Sequence, residues 1–145
     1  MIDMRQADLE YIRLLNDLIT GGIMRIAELK SKAYPGAITY DDTGGSHPAP
    51  TNRLEDVFCQ IDEEERKVNR LIDKRYALRQ RAFREIKAVC PDYAERHVMY
   101  LRYLAAEPLE WSRIIEYVRK YHNISERKIY QIHHNAVLKL ERYNM

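Results

Sequence analysis

Residues that break helices are few in this sequence, and most of them lie together. Glycine and proline number five each in 145 residues, and three of each fall within residues 34–50, YPGAITYDDTGGSHPAP. Long intervals without a helix breaker remain on both sides of this stretch. The sequence therefore predicts an all-α protein with one long loop at residues 34–50.

Cysteine and long apolar runs are also scarce. The two cysteines, Cys59 and Cys90, show no metal-ligand spacing, so we expect reduced, partly buried thiols. No apolar run approaches the roughly 18 residues of a membrane span, and the first residues, MIDMRQADLEYIRLL, lack the apolar core of a secretion signal. These absences predict a cytoplasmic protein that does not bind a membrane.

Catalytic and metal-binding patterns are missing as well. The sequence has no glycine-rich phosphate loop, no nucleophile elbow and no ordered set of Ser or Cys with His and an acid. His133 and His134 are adjacent, and neighbouring side chains on a helix point about 100° apart, so the two cannot chelate one ion. We expect no enzymatic activity, no cofactor and no metal site.

Residues 1–33 and 51–90 each follow the apolar spacing of a long helix. In the first, apolar residues recur at steps of three and four, and Gly21 with Gly22 predicts either a kink or a close-packed neighbour. In the second, Asn52 with Glu55 has the form of a capping box. Helices of this length predict a helical hairpin or a coiled coil that makes a homo-oligomer.

Charge is polarised along the second helix. Residues 53–65 carry one basic and six acidic side chains, whereas residues 66–87 carry nine lysines or arginines against two acidic residues. One interpretation is a solvated helix stabilised by ion pairs between successive turns. The other is a surface that contacts DNA phosphates, with Lys74, Arg79 and Arg81 as the candidate contacts.

Residues 91–145 predict a domain of three helices, at about residues 93–104, 109–121 and 126–143. Asp92 with Glu95 forms a second capping-box pattern, and Ser125 is a natural N-cap for the last helix. A helix, a turn and a capped helix indicate a helix-turn-helix, whose last helix enters the major groove of DNA. The side chains that we predict to contact DNA are Ser125, Glu126, Arg127, Lys128, Tyr130, Gln131 and His134.

The opposite face of the last helix is apolar and is predicted to hold it to the core. That face carries Ile129, Ile132, Ala136 and Leu140. His133 is expected to pack partly against the core while His134 points outward, and Trp111 is expected in the core. On the outward face, arginine can read guanine and glutamine can read adenine.

Four stretches of the sequence resemble known families. Residues 96–104, RHVMYLRYL, then Trp111 with Ile114 and Ile115, then SERKIYQIHHNAVLKL at residues 125–140 resemble region 4 of the sigma-70 family. The order of helix, loop and long helix, with DDTGGSHPAPTNRLED at residues 41–56, resembles the phage late-gene transcription regulators of the RinA/ArpU type.

These resemblances imply a sequence-specific, DNA-binding activator of phage or prophage late genes. Its partners would be double-stranded DNA and RNA polymerase, and its groove-facing positions would be Glu126, Arg127, Tyr130 and Gln131. A basic residue is common in the family at the position of Tyr130, which implies a different operator preference here. Two alternatives remain open: a DNA-packaging protein of the small-terminase kind and a structural helical assembly protein.

Overall fold

The computed structural model describes residues 5–33 and 51–143. These residues form five α-helices and one π-helical segment, and no strand occurs among them. The α-helices are α1 (Gln6–Ala33), α2 (Thr51–Val89), α3 (Tyr93–Met99), α4 (Trp111–His122) and α5 (Glu126–Glu141), and the π-helical segment is Tyr100–Leu104. The predicted all-α class is confirmed. The predicted loop at residues 34–50 lies outside the described residues, and the side chain of Asn52, the predicted cap of α2, is not described either.

The chain divides into two compact units that differ from the ranges expected from sequence. One unit is Asp17–Asp73, here called the helix-pair unit, and the other, the C-terminal unit, joins Met1–Asn16 to Lys74–Met145. Residues of α1 and α2 belong to both units. The predicted domain at residues 91–145 is therefore packed together with the beginning of α1 and the end of α2.

In the helix-pair unit, α1 and α2 run antiparallel. Gly22 of α1 lies against Val68 of α2, and Arg25 pairs with Glu64 at 3.3 Å. Residues later in α1 therefore contact residues earlier in α2. The buried apolar residues between them are Ile19, Leu29, Ile61 and Val68. α1 stays helical through both glycines, and Gly22 has the close-packed neighbour that was one of the two expected explanations.

The C-terminal unit has two apolar clusters, and α5 takes part in both. The first half of α5 buries Ile129 and Ile132 against residues of α3 and α4. Its second half buries Ala136, Val137 and Leu140 with residues of α1, α2 and the π-helical segment. The predicted inward face of α5 is confirmed, since Ile129, Ile132, Ala136 and Leu140 are 0%, 7%, 0% and 1% exposed.

A π-helical turn follows α3 where the sequence predicts one uninterrupted α-helix. The amide of Ala105 donates to the carbonyl of Tyr100 at 2.8 Å, a spacing of five residues. Side chains from α2 bind the carbonyls at its end: Arg79 donates from Nε to Leu104 at 3.1 Å, and Arg75 donates to Ala105 at 3.0 Å. The guanidinium groups thus satisfy carbonyls that have no helical partner.

Two other predictions are corrected. Cys59 was expected to be partly buried but is exposed, whereas Cys90 is fully buried. Asp92 does cap α3, accepting from the amide of Ala94 at 3.2 Å. Glu95 does not complete a capping box, because its carboxylate accepts from Nζ of Lys139 at 2.8 Å instead. Burial, and then the charge of Glu95, raises the pKa of the Cys90 thiol to about 11.

Candidate nucleic-acid interface

The start of α5 is fixed by three local contacts. Asn123 ends α4 in the left-handed region, with φ 51° and ψ 50°, a conformation that asparagine tolerates better than most residues. Ser125 then caps α5, its hydroxyl accepting from the amide of Lys128 at 3.3 Å. Ile124 packs against the cluster that contains Ile129, which is the hydrophobic staple of a helix N-terminus. The predicted turn and cap are thereby confirmed.

The predicted DNA-contacting residues share one property, which is exposure. Ser125, Glu126, Arg127, Lys128, Tyr130, Gln131 and His134 are all exposed. Ile129 and Ile132, which alternate with them along the helix, are buried. The first two turns of α5 therefore present a polar face of mixed charge that includes one aromatic ring.

The cations of this face lie where a helix does not favour them. Arg127 and Lys128 are in the first turn of α5, where the helix dipole is positive and disfavours a cation by about 0.3–1 kcal/mol. Neither side chain has a hydrogen bond or ion pair with another side chain among residues 5–33 and 53–143. Within this part of the chain no side chain pairs with the two charges, and both are exposed to an external anion.

Tyr130 is the member of the exposed face whose ring is supported by the rest of the unit. Its ring centroid lies 4.9 Å from that of Trp111, the first residue of α4. Trp111 is partly buried at the edge of the second cluster, so its predicted place in the core is only half correct. On its other sides it meets Arg102 and His133.

His133 and His134 are separated by burial as predicted. His134 is exposed, whereas Nε2 of His133 lies 2.6 Å from the hydroxyl of Tyr103. Burial, and secondly the charge of Arg102, lowers the pKa of His133 to about 4. His133 is therefore neutral near pH 7 and belongs to the support of the helix, not to its charged face.

The candidate phosphate contacts on α2 are already engaged within the C-terminal unit. Arg79 donates to the carbonyl of Leu104, Arg81 pairs with Glu85 at 3.2 Å, and Nζ of Lys74 lies 5.0 Å from the ring centroid of Tyr11. These side chains would bind a phosphate only at the cost of those contacts. The predicted contacts on α5 thus share one exposed face, whereas Lys74, Arg79 and Arg81 on α2 already have partners within the protein.

Sequence reasoning missed two cations at the turn before α5. Arg119 and Lys120 lie in the last turn of α4 and are exposed. They also suit the negative end of the helix dipole, so their presence alone has a structural explanation. The sequence could have indicated them by their nearness in the chain, since fewer than ten residues separate them from Arg127 and Lys128.

Other kinds of site are not formed by the described residues. Within residues 5–33 and 53–143, no group of three or more His, Cys, Asp or Glu side chains is arranged to hold a metal ion. Among the helices of this same part of the chain, none has both the length and the apolar character needed to cross a membrane.

Comparison with known proteins adds no relative. No family model matches the sequence, and neither a curated protein nor a solved structure matches it. The comparisons therefore add nothing to the geometry of the start of α5.

Proposed function

We propose that this protein is a sequence-specific DNA-binding regulator whose reading element is the N-terminal half of α5. Arg127 and Lys128 would contact phosphates or base edges, and Gln131 would read a base in the major groove. The residues behind them, Ile129 and Ile132, hold the helix to α3 and α4. Double-stranded DNA is the partner in this proposal.

One observation carries the proposal: Arg127 and Lys128, which pair with no described side chain, lie in the first turn of α5, where cations do not help the helix. A solvated helix selected for stability would place acidic residues there, as at Glu126, and cations in its last turn. Phosphate binding gives these charges a use, because each neutralised phosphate releases condensed counterions.

The resemblance to phage late-gene regulators supports the finer proposal of a transcription activator in a bacterial cytoplasm, with RNA polymerase as a second partner. Self-association fits the helix-pair unit, where Ile23, Met24 and Ile72 are 53%, 67% and 43% exposed. A dimer would bind paired half-sites about one helical turn apart, which compensates for the small net charge of the reading domain.

Selection of sites from a random double-stranded DNA library by the full chain tests DNA binding directly. We expect enrichment of one motif, with paired half-sites if the protein is a dimer. The double substitution Arg127→Ala with Gln131→Ala should weaken binding to the selected site at least tenfold. Each hydrogen-bonded contact between a side chain and a base contributes about 1–3 kcal/mol. Binding is measured by fluorescence anisotropy at several salt concentrations.

A matched control removes the same two residue types from elsewhere. Gln60 and Arg53 are exposed on α2, outside the basic stretch at residues 66–87, and Gln60→Ala with Arg53→Ala should leave binding unchanged. Circular dichroism should show that both double variants remain folded. If no motif is enriched, or if both double variants bind alike, DNA reading by α5 is wrong.

Position of the selected motif in phage or prophage DNA separates the two DNA-binding alternatives. A motif beside a late promoter supports the activator, whereas a motif at a packaging site favours a protein of the small-terminase kind. Absence of DNA binding combined with self-association favours the structural assembly protein.

A further inference from the structure

Tyr130 differs from its neighbours on the exposed face of α5 because its ring packs against a residue of another helix. Tyr130 is 41% exposed and its ring lies against Trp111, with the two ring planes inclined by 52°. Arg127 and Lys128 on the same face make no such side-chain contact among the described residues. On this face, Tyr130 is thus a side chain whose position is limited by a contact with another helix.

Trp111 is itself fixed on two further sides. The guanidinium carbon of Arg102 lies 4.7 Å from the Trp111 ring centroid, a cation–π contact. The ring of His133 meets Trp111 edge to face, at 4.8 Å between centroids and an angle of 83°. Trp111 therefore has little freedom to turn, and it limits the positions that the Tyr130 ring can take.

Both groups that hold Trp111 are anchored in turn. Arg102 donates to the carbonyl of Leu109 at 3.4 Å and lies 3.8 Å from the carboxylate of Glu110. His133 is bound by the hydroxyl of Tyr103, a fully buried residue. The support of Tyr130 thus extends from the surface of α5 to the core of the C-terminal unit.

A preorganised ring is suited to one kind of contact in the major groove. An apolar surface there can pack on the C5-methyl group of thymine, the feature that distinguishes thymine from every other base edge. Binding through a ring that is already fixed loses less side-chain entropy than binding through a flexible side chain. Lysine or arginine at this position would favour guanine or phosphate instead.

We propose that Trp111 is a positioning residue that holds the Tyr130 ring against a thymine methyl group in the DNA site. This inference rests on the proposed function, since it assumes that α5 lies in the major groove. It adds the base that Tyr130 reads and a residue outside α5 on which that reading depends.

Deoxyuridine provides the probe, because it lacks only the methyl group of thymine. Each thymine of the selected site is replaced in turn by deoxyuridine, and binding of the full chain is measured. At one position we expect about three- to fivefold weaker binding, the amount that loss of one buried methyl group produces. Tyr130→Ala should bind the thymine and deoxyuridine sites equally.

Trp111→Leu should also lose the preference for the methyl group, whereas Trp111→Phe, which keeps an aromatic ring, should retain part of it. The slope of log K against log salt should stay the same in both variants, because no phosphate contact is removed. A structural role of Trp111 would weaken binding to both DNAs without changing their ratio.

Fluorescence offers a second measurement that needs no substitution of Trp111. Trp111 is the only tryptophan in the chain, so its emission reports on the surroundings of this one ring, the Tyr130 contact included. Thymine DNA should change this emission more than the deoxyuridine DNA, and the difference should vanish in Tyr130→Leu. This result decides the matter if Trp111→Leu does not fold.

The outcomes separate the inference from the proposed function. Failure of the random library to yield a motif contradicts the function itself. A motif without a methyl-sensitive thymine, or methyl sensitivity that persists in Trp111→Leu, overturns the role of Trp111 and leaves DNA binding by α5 intact.

Discussion

The basic part of α2 and the first turn of α5 contain the same kinds of side chain but hold them differently. On α2, Arg75 and Arg79 bind the carbonyls at the end of the π-helical segment, and Arg81 pairs with Glu85. On α5, Arg127 and Lys128 have no comparable partner among the described side chains. The count of nine basic residues on α2 therefore says less about phosphate binding than two unpaired cations on α5.

This difference shows that surroundings decide what a residue type does. A guanidinium that satisfies buried carbonyls contributes to stability, and its removal leaves acceptors without a donor. An unpaired cation in water contributes little to stability and is free for a ligand. This conclusion can be tested with pairs of residues of the same type. In each pair, one residue is buried or has a partner within the protein and the other does not.

His133 and His134 are such a pair, and pH should separate them most strongly. The pKa of His133 is lowered to about 4 in the folded chain, below its ordinary value of 6.5. The unfolded chain therefore binds more protons between these values, and stability that is present above pH 6.5 is lost as the pH falls towards 4. We expect His133 to account for about 2 to 3 kcal/mol of this loss.

Urea unfolding of His133→Gln, His134→Gln and the unchanged protein at pH 7 and pH 4.5 measures the effect. Other titrating groups are common to all three proteins and cancel in the comparison. His133→Gln should lose less stability on acidification, while His134→Gln should follow the unchanged protein. Parallel losses in all three proteins would show that His133 is not held neutral.

Arg79 and Arg84 form the next pair, both on α2. Arg79→Ala should lower the free energy of unfolding by about 2 kcal/mol, because a charged hydrogen-bond donor is removed from the carbonyl of Leu104. Arg84 is exposed, and Arg84→Ala should change stability by less than about 0.5 kcal/mol. Both values come from chemical denaturation.

Equal stabilities for these two variants would mean that Arg79 is not needed at the π-helical turn. Arg79 would then be free for phosphate, as the charge pattern of the sequence suggested. A stability loss confined to Arg79→Ala places this residue in the fold, and any accompanying weaker binding of DNA must then be corrected for unfolded protein.

The features that could be predicted from sequence depend on residues close together in the chain. The helices follow from the spacing of apolar residues, and the start of α5 follows from Ser125 and Asn123. The inward and outward faces of α5 follow from the same spacing. These signals act within one or two helical turns, so a single sequence contains them in full.

The features that were missed depend on distant residues. Arg79 meets a carbonyl 25 positions along the chain, and Glu95 binds Lys139 at a separation of 44 positions. The contact of Trp111 with Tyr130 likewise joins two helices. Which of several arginines or carboxylates finds such a partner depends on the packing of helices, which apolar spacing does not specify.

The two glycines of α1 are also adjacent in sequence, and the expected effect of substituting either one is smaller than that of Arg79→Ala. A Cβ atom on Gly21 would meet nothing within 4 Å, whereas one on Gly22 would lie 2.5 Å from Cγ2 of Val68. Val68 is buried and its branched side chain has one preferred rotamer in a helix, so it cannot move aside easily. Gly21→Ala should stabilise the protein by about 1 kcal/mol, through helix propensity alone.

Gly22→Ala should instead destabilise it by about 1 kcal/mol, because overpacking outweighs the same gain in propensity. Thermal or urea unfolding gives both values. Val68→Ala then tests whether the side chain of Val68 causes the difference between them. In the background of Val68→Ala the methyl groups are absent, so Gly22→Ala should become stabilising, like Gly21→Ala. If Gly22→Ala stabilises the unchanged protein as much as Gly21→Ala does, α1 and α2 do not approach closely at Gly22, and the antiparallel pairing of the helix-pair unit loses its tightest contact.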